Sequence, residues 1–235
     1  MTQTGNVQTL LDLEKLPIAV GFFEAPPPDL PRRQGGPVPA GCAFWREAQE
    51  GRAFYTVPED HYPCAVGSYT HAIPLPVARA AELEQTVGFM VESGYLRMDE
   101  VPGIPTLRST PAVVAYAPAD RNAFPAHAVI VAARPAQAML LYEAALAAGA
   151  GAALTPTLGR PGCAVLPLAL NGGSTALSFG CQGNRTYTGL PDDQLYVCIP
   201  GDRWDAVSEK VAAVVAANQT MGAHYRAKQN TVTVG

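Results

Sequence analysis

Charge is scarce in this chain. Asp, Glu, Lys and Arg make up 15% of its 235 residues, hydrophobic residues make up 48%, and the net charge of -4 comes without any run of Lys or Arg. A nucleic-acid surface needs a basic stripe, so no nucleic-acid partner is expected. Long apolar runs are missing too. Ala126–Ala133 and Ala144–Leu154 are short or rich in Ala and Gly, well below the ~20 residues that span a bilayer, so no membrane role is expected. Met1–Asn6 has neither basic residues nor an apolar core, so no export signal is read there and a cytoplasmic protein is expected. The sparse charge leaves a surface of small neutral residues, with room for a partner interface such as a second copy of the chain.

The common catalytic signatures are absent as well. There is no GxSxG, GxxxxGK[ST], HExxH or GxGxxG, and His61, His71, His127 and His224 show no ligand spacing. No two cysteines form a CxxC pair, which removes the strongest local zinc signature.

What is present is a chain of alternating elements. Val7–Lys15 reads as a lead-in helix and Ile18–Phe23 as a strand, followed by a Pro- and Gly-rich crossing over Glu24–Gly41. Helices are expected at Ala43–Glu50, Arg79–Ser93, Ala136–Ala148 and from Asp205 onward. Strands are expected at Arg52–Val57, Ala112–Ala117, Ala128–Ala133, within Gly162–Leu170, at Thr175–Phe179 and at Gln194–Ile199. The halves resemble one another in order. Ile18–Pro26 parallels His127–Pro135, Phe44–Gly51 parallels Tyr142–Gly149, and Pro63–Val66 parallels Gly162–Val165. Tyr116-Ala117-Pro118 with Asp120-Arg121 parallels Cys198-Ile199-Pro200 with Asp202-Arg203. The expected fold is α/β (α+β): internally duplicated strand–helix–strand units forming a mixed sheet with packed helices, related by a pseudo-two-fold axis. After a lead-in over 1–15, the first repeat spans 16–121 and the second 122–228, packed as one unit, with a polar tail at 229–235. Cys64 and Cys163 would then be equivalent and face one another or line one cleft.

Chemistry, if present, is expected at cysteine. An odd count of five with no export signal argues against a disulfide framework. Cys42 sits where a helix begins, a position that can lower a thiol pKa; a small buried hydrophobe is the alternative. Cys64 follows Asp60 and His61, and Cys163 follows Arg160. Cys181 lies in Gly180-Cys181-Gln182-Gly183-Asn184-Arg185. In that run Gly180 and Gly183 allow close backbone approach and Arg185 can pair with an anion, or the segment is an ordinary turn. Cys198 lies inside an apolar strand and is set aside as core.

The segments Cys42–Gly51, His61–Gly67, Ala128–Leu141 and Phe179–Pro200 together resemble the DUF169 family of bacterial and archaeal proteins. The pieces that carry the resemblance are Cys42 through Gly51, Cys64-Ala-Val-Gly67, Pro135–Met139, Gly162-Cys163 and Gly180–Arg185. It implies that Cys42, Cys64, Cys163 and Cys181 are the family's motif cysteines. It implies little about activity, the family being a domain of unknown function. Four thiolates suit a [4Fe–4S] cluster or zinc, and the leading expectation is a metal or iron–sulfur centre on Cys42, Cys64, Cys163 and Cys181. Two readings stay open beside it. One is a metal-free thiol enzyme or small-acid binder with Cys42 or Cys181 as nucleophile and Arg185 or Arg160 as anchor. The other is a non-catalytic subunit.

Overall fold

The computed structural model describes residues 3–121, 123–151 and 161–232. After helix α1 (Gln3–Leu11), the first half runs through strand β1 (Ile18–Phe23), helix α2 (Ala43–Gln49), strand β2 (Phe54–Thr56), helices α3 (Pro58–His61), α4 (Ala65–Thr70) and α5 (Ala81–Glu92), and strand β3 (Val113–Pro118). The second half runs through strand β4 (Ala128–Ala133), helices α6 (Pro135–Ala147) and α7 (Val165–Gly172), strand β5 (Ala176–Ser178), helix α8 (Gln182–Thr188), strand β6 (Leu195–Pro200) and helix α9 (Trp204–Val232).

The architecture is α+β, on one sheet of order β2-β3-β1-β4-β6-β5. Every pairing of these strands is antiparallel, which corrects the expected mixed sheet. The order is symmetric about the β1/β4 pair, where Ile18 faces Ile130. In each half a central strand comes first in sequence, an edge strand second and the strand between them third. This does not by itself confirm duplication, and one expected equivalence fails: α2 and α6 pack on opposite faces of the sheet.

The two faces follow from the period-two alternation of strand side chains. Ala19, Ala115, Val129, Val131, Val197 and Ile199 point to a layer made by α1, α6 and α9. Ile18, Val20, Val114, Tyr116, Ile130 and Tyr196 point to the other layer, with Phe44 and Trp45 of α2 and Val165, Leu166 and Ala169 of α7. With both faces covered, β3, β4 and β6 are buried at every position. That is why their sequences are unbroken apolar runs although the sheet is antiparallel.

The apolar run after Cys163, expected as a strand, is helix α7. It buries Val165, Leu166 and Ala169 at helical spacing and carries Pro167 in its first turn, where proline is tolerated. Among the described residues no helix is long and apolar enough to cross a membrane.

The Pro-rich crossing is fastened to α2 by a buried ion pair. Arg33 Nε and Nη2 donate to Glu47 Oε1 at 3.0 and 2.7 Å, and the guanidinium lies 5.1 Å from the Phe44 ring centroid. This fork–fork pair holds the chain just ahead of Cys42. Replacing Arg33 by Ala leaves Glu47 buried with only the half-exposed Arg52 at 3.2 Å. An unpaired buried carboxylate is costly, so Arg33→Ala should lower the free energy of unfolding by about 2 kcal/mol, read from urea midpoints. An unchanged midpoint would show that the strap contributes nothing.

Candidate functional site

Four elements on the α2/α7 face each bring one cysteine to a common cavity of about 740 Å³, lined by Cys42, Cys64, Cys163 and Cys181 among others. Cys42 is the residue before α2 and Cys64 before α4. Cys163 lies in the 3-10 turn Gly162–Ala164 leading into α7, and Cys181 precedes α8. Cys64 Sγ accepts a hydrogen bond from Gly67 N–H at 3.3 Å, and Cys181 Sγ accepts one from Asn184 N–H at 3.4 Å. Cys163 Sγ lies 3.2 Å from Thr70 Oγ1 of α4, which itself donates to Gly67 C=O.

Close packing makes the convergence possible. A Cβ on Gly162 would stand 3.0 Å from the backbone N of Cys181 and 3.2 Å from Asn184 Cβ, so only glycine lets the Cys163 turn rest against the start of α8. A Cβ on Gly41 would meet His61 Nδ1 at 2.7 Å, so the imidazole tucks directly under the residue before Cys42.

The thiols sense one another electrostatically. Burial is the largest influence and pushes Cys42 up to about 12; it also raises Cys64, and it lifts Cys163 well above the ordinary thiol value. Charge repulsion among the four adds to this, and each of their six pairings is close enough to contribute. The expected thiol-lowering effect of the α2 N-terminus is therefore overturned at Cys42 by desolvation. Cys198 faces the core from β6, raised by burial alone and untouched by the other four.

A layer of buried polar groups lies behind the thiols. His61 Nε2 is 2.8 Å from Thr56 Oγ1, and the His61 and His71 rings are 5.7 Å apart. Burial drives both imidazoles down, His61 well below its ordinary value and His71 to about 4, so both are neutral near pH 7. His61, three residues before Cys64, is 1% exposed. Among the described residues the Tyr116 hydroxyl has no hydrogen-bond partner, and Cys42 and Cys163 are near enough to raise it beyond what burial does. His71, Tyr116, Thr70 and Asn184 carried no sequence signal, because a polar residue beneath a site is distinguished only by what folds over it.

The remaining expected site residues are placed as follows. Gly183 lines the cavity, and Gly180 adopts a φ of +74°. Arg185 donates to the carbonyls of Phe179, Pro191 and Gln194, which ties both ends of the α8 loop together, and it is not among the residues lining the cavity. Arg160 lies outside the described residues. Among the described residues no three Cys, His, Asp or Glu side chains form a group able to hold a single metal ion. The thiols share a wall rather than a tight chelate.

The DUF169 family profile, described as an uncharacterised ArCR family, matches residues 6–210. No curated protein and no solved structure matches the chain.

Proposed function

The chain belongs to the DUF169 family, and from the shared four-thiol cavity we propose that it binds an iron–sulfur cluster through Cys42, Cys64, Cys163 and Cys181. The observation that carries this reading is the meeting of four cysteines from four separate elements at one cavity, each within electrostatic range of the other three. Without a cation, burial and mutual repulsion hold Cys42, Cys64 and Cys163 protonated at neutral pH. A metal centre supplies the missing positive charge and draws off the protons. The two N–H···S bonds from Gly67 and Asn184 then stabilise the sulfur charge.

A polynuclear cluster suits the site better than one ion, since among the described residues no three Cys, His, Asp or Glu side chains are grouped to hold a single metal ion. Around a single zinc, Zn–S bonds of ~2.3 Å bring four sulfurs into a tight tetrahedron, whereas a cluster sets its own iron and sulfide atoms between them. Held by all four thiolates, a cluster would supply electron transfer; a Lewis-acidic iron would require one of the four cysteines to leave its iron open. The chain's own contribution is the mainly apolar cavity, the sulfur-directed amides and the neutral His61, His71 and Tyr116 behind it.

Anaerobic purification tests this. The full chain should be brown, contain iron and acid-labile sulfide, and absorb in the visible through thiolate-to-iron charge transfer. Serine at Cys42, Cys64, Cys163 or Cys181 should deplete the iron, and Cys198→Ser should not. A colourless, folded protein that takes up neither iron with sulfide nor zinc would sink the proposal. Stoichiometric zinc would replace the cluster with the second metal.

A further inference from the structure

Helix α5 is the odd element of this fold. A helix on a globular protein normally buries an apolar stripe against the core. Here Leu83, Val87 and Met90, spaced i, i+4 and i+7, form such a stripe, and yet no residue of α5 is buried. The stripe lines the same cavity as the cysteines, together with Leu96 and Ile104 from the segment that follows. α5 packs on α4, and near the thiols Gln182 N–H donates to the Tyr95 hydroxyl at 3.0 Å. Much of the apolar surface that α5 would ordinarily spend on packing thus borders about 740 Å³ of space. That volume lies in the ~300–1,000 Å³ range of small-molecule sites.

The charge of the walls limits what can enter. Among the described lining residues Glu84 is the one with a formal charge, and four sulfurs share the lining. A carboxylate or phosphate would meet like charge and no described cation. At the thiol end the Asn184 side-chain amide, 2% exposed, lies within reach of the Cys42 thiol and the Tyr196 hydroxyl, so the cavity ends in neutral polar groups there.

We propose that the space lined by the α5 stripe and the four cysteines is a binding site for an uncharged, chiefly apolar small organic molecule, oriented with its polar end toward the thiols. This names the ligand class of the cavity discussed above, and it rests on that reading in so far as the polar end would meet the metal centre. Among the described residues the cavity lining carries no cation, and Arg185, expected as an anchor for an acid, is not part of it.

The probe is a matched pair of aromatic amines, neutral N-phenylnaphthylamine and its sulfonated analogue anilinonaphthalenesulfonate. Equilibrium dialysis is run on the full chain, both as purified and after reconstitution with iron and sulfide. The neutral amine should bind saturably at one site per chain, and the sulfonate at least about tenfold more weakly. Val87→Glu places a charge on the partly exposed stripe, at a position outside the buried core. It should weaken neutral-amine binding by about tenfold or more while leaving the thermal midpoint unchanged. Leu146→Glu, on the exposed face of α6, is the control and should change neither.

Equal or tighter sulfonate binding overturns the proposal. So does neutral-amine binding that ignores Val87→Glu. So does a stable dimer whose Val87→Glu variant becomes monomeric, since the stripe would then belong to a second copy. The two readings fail separately. Neutral-amine binding to a chain that takes up no metal removes the cluster alone, and a loaded chain that binds no neutral amine removes this inference alone.

Discussion

In protein freed of metal, Cys42 should alkylate about a thousandfold more slowly at pH 8 than a thiol of pKa 9.0, because burial pushes it up to about 12. The thiolate is the nucleophile, and below both values its fraction falls tenfold for each unit by which the pKa is raised. The labelling rate should then climb about tenfold per pH unit from pH 8 toward 11, where an ordinary thiol has already levelled off. Cys64 and Cys163 are raised for the same first reason and should also lag an ordinary thiol. Iodoacetamide labelling followed by peptide mass spectrometry reads each cysteine separately. Rapid labelling of Cys42 at pH 7, with a rate already on its plateau, would mean that the thiol is ionised without a metal. That outcome would restore the nucleophile reading. Slow labelling supports the metal reading, because a site whose thiols are suppressed until a cation arrives is a poor metal-free catalyst.

The cysteines were legible in the sequence because each of the four sits at an element end beside glycine or proline, while Cys198 sits inside the apolar run Leu195–Ile199. Their partners were not. The repeated Cys-Ala-Val at Cys64 and Cys163 suggested that these two are equivalent. In the strand order, Cys64 follows the edge strand β2, and Cys163 precedes the edge strand β5. By position Cys42 corresponds to Cys163, each between a central and an edge strand, and Cys64 to Cys181, each capping the helix after the edge strand. Three shared letters outweighed topology that only folding reveals. The same limit hid the character of Val165–Leu170, since a short apolar run has no periodicity that separates a strand from a buried helix. Glu47 of α2 and Glu143 of α6 have different fates. Glu47 is buried on Arg33, and Glu143 accepts from Asn218 of α9 on the opposite face of the sheet.

The layer behind the thiols gives the second large effect. His71 is 1% exposed, neither ring nitrogen has a hydrogen-bond partner among the described residues, and burial lowers its pKa to about 4 from 6.5. A depressed histidine pKa means that the unfolded chain takes up the proton first as pH falls. The stability His71 permits is therefore intact above pH 6.5 and drains away between 6.5 and about 4. That gap corresponds to about 3 kcal/mol. His61 is lowered in the same direction, by burial first and by His71 second, and steepens the same limb. His71→Leu removes two buried nitrogens that nothing satisfies and replaces them with an apolar side chain of similar size. At pH 7.5 the variant should be as stable as the parent or more so. At pH 4.5 it should be more stable by about 2 kcal/mol or more, read from urea unfolding at both values. Parallel pH profiles for parent and variant would show that His71 takes up its proton in the folded state as readily as in the unfolded one. The buried neutral layer beneath the cysteines would then have to be abandoned. A variant that flattens the acid limb and still binds iron would establish that layer as a support for the site rather than a ligand in it.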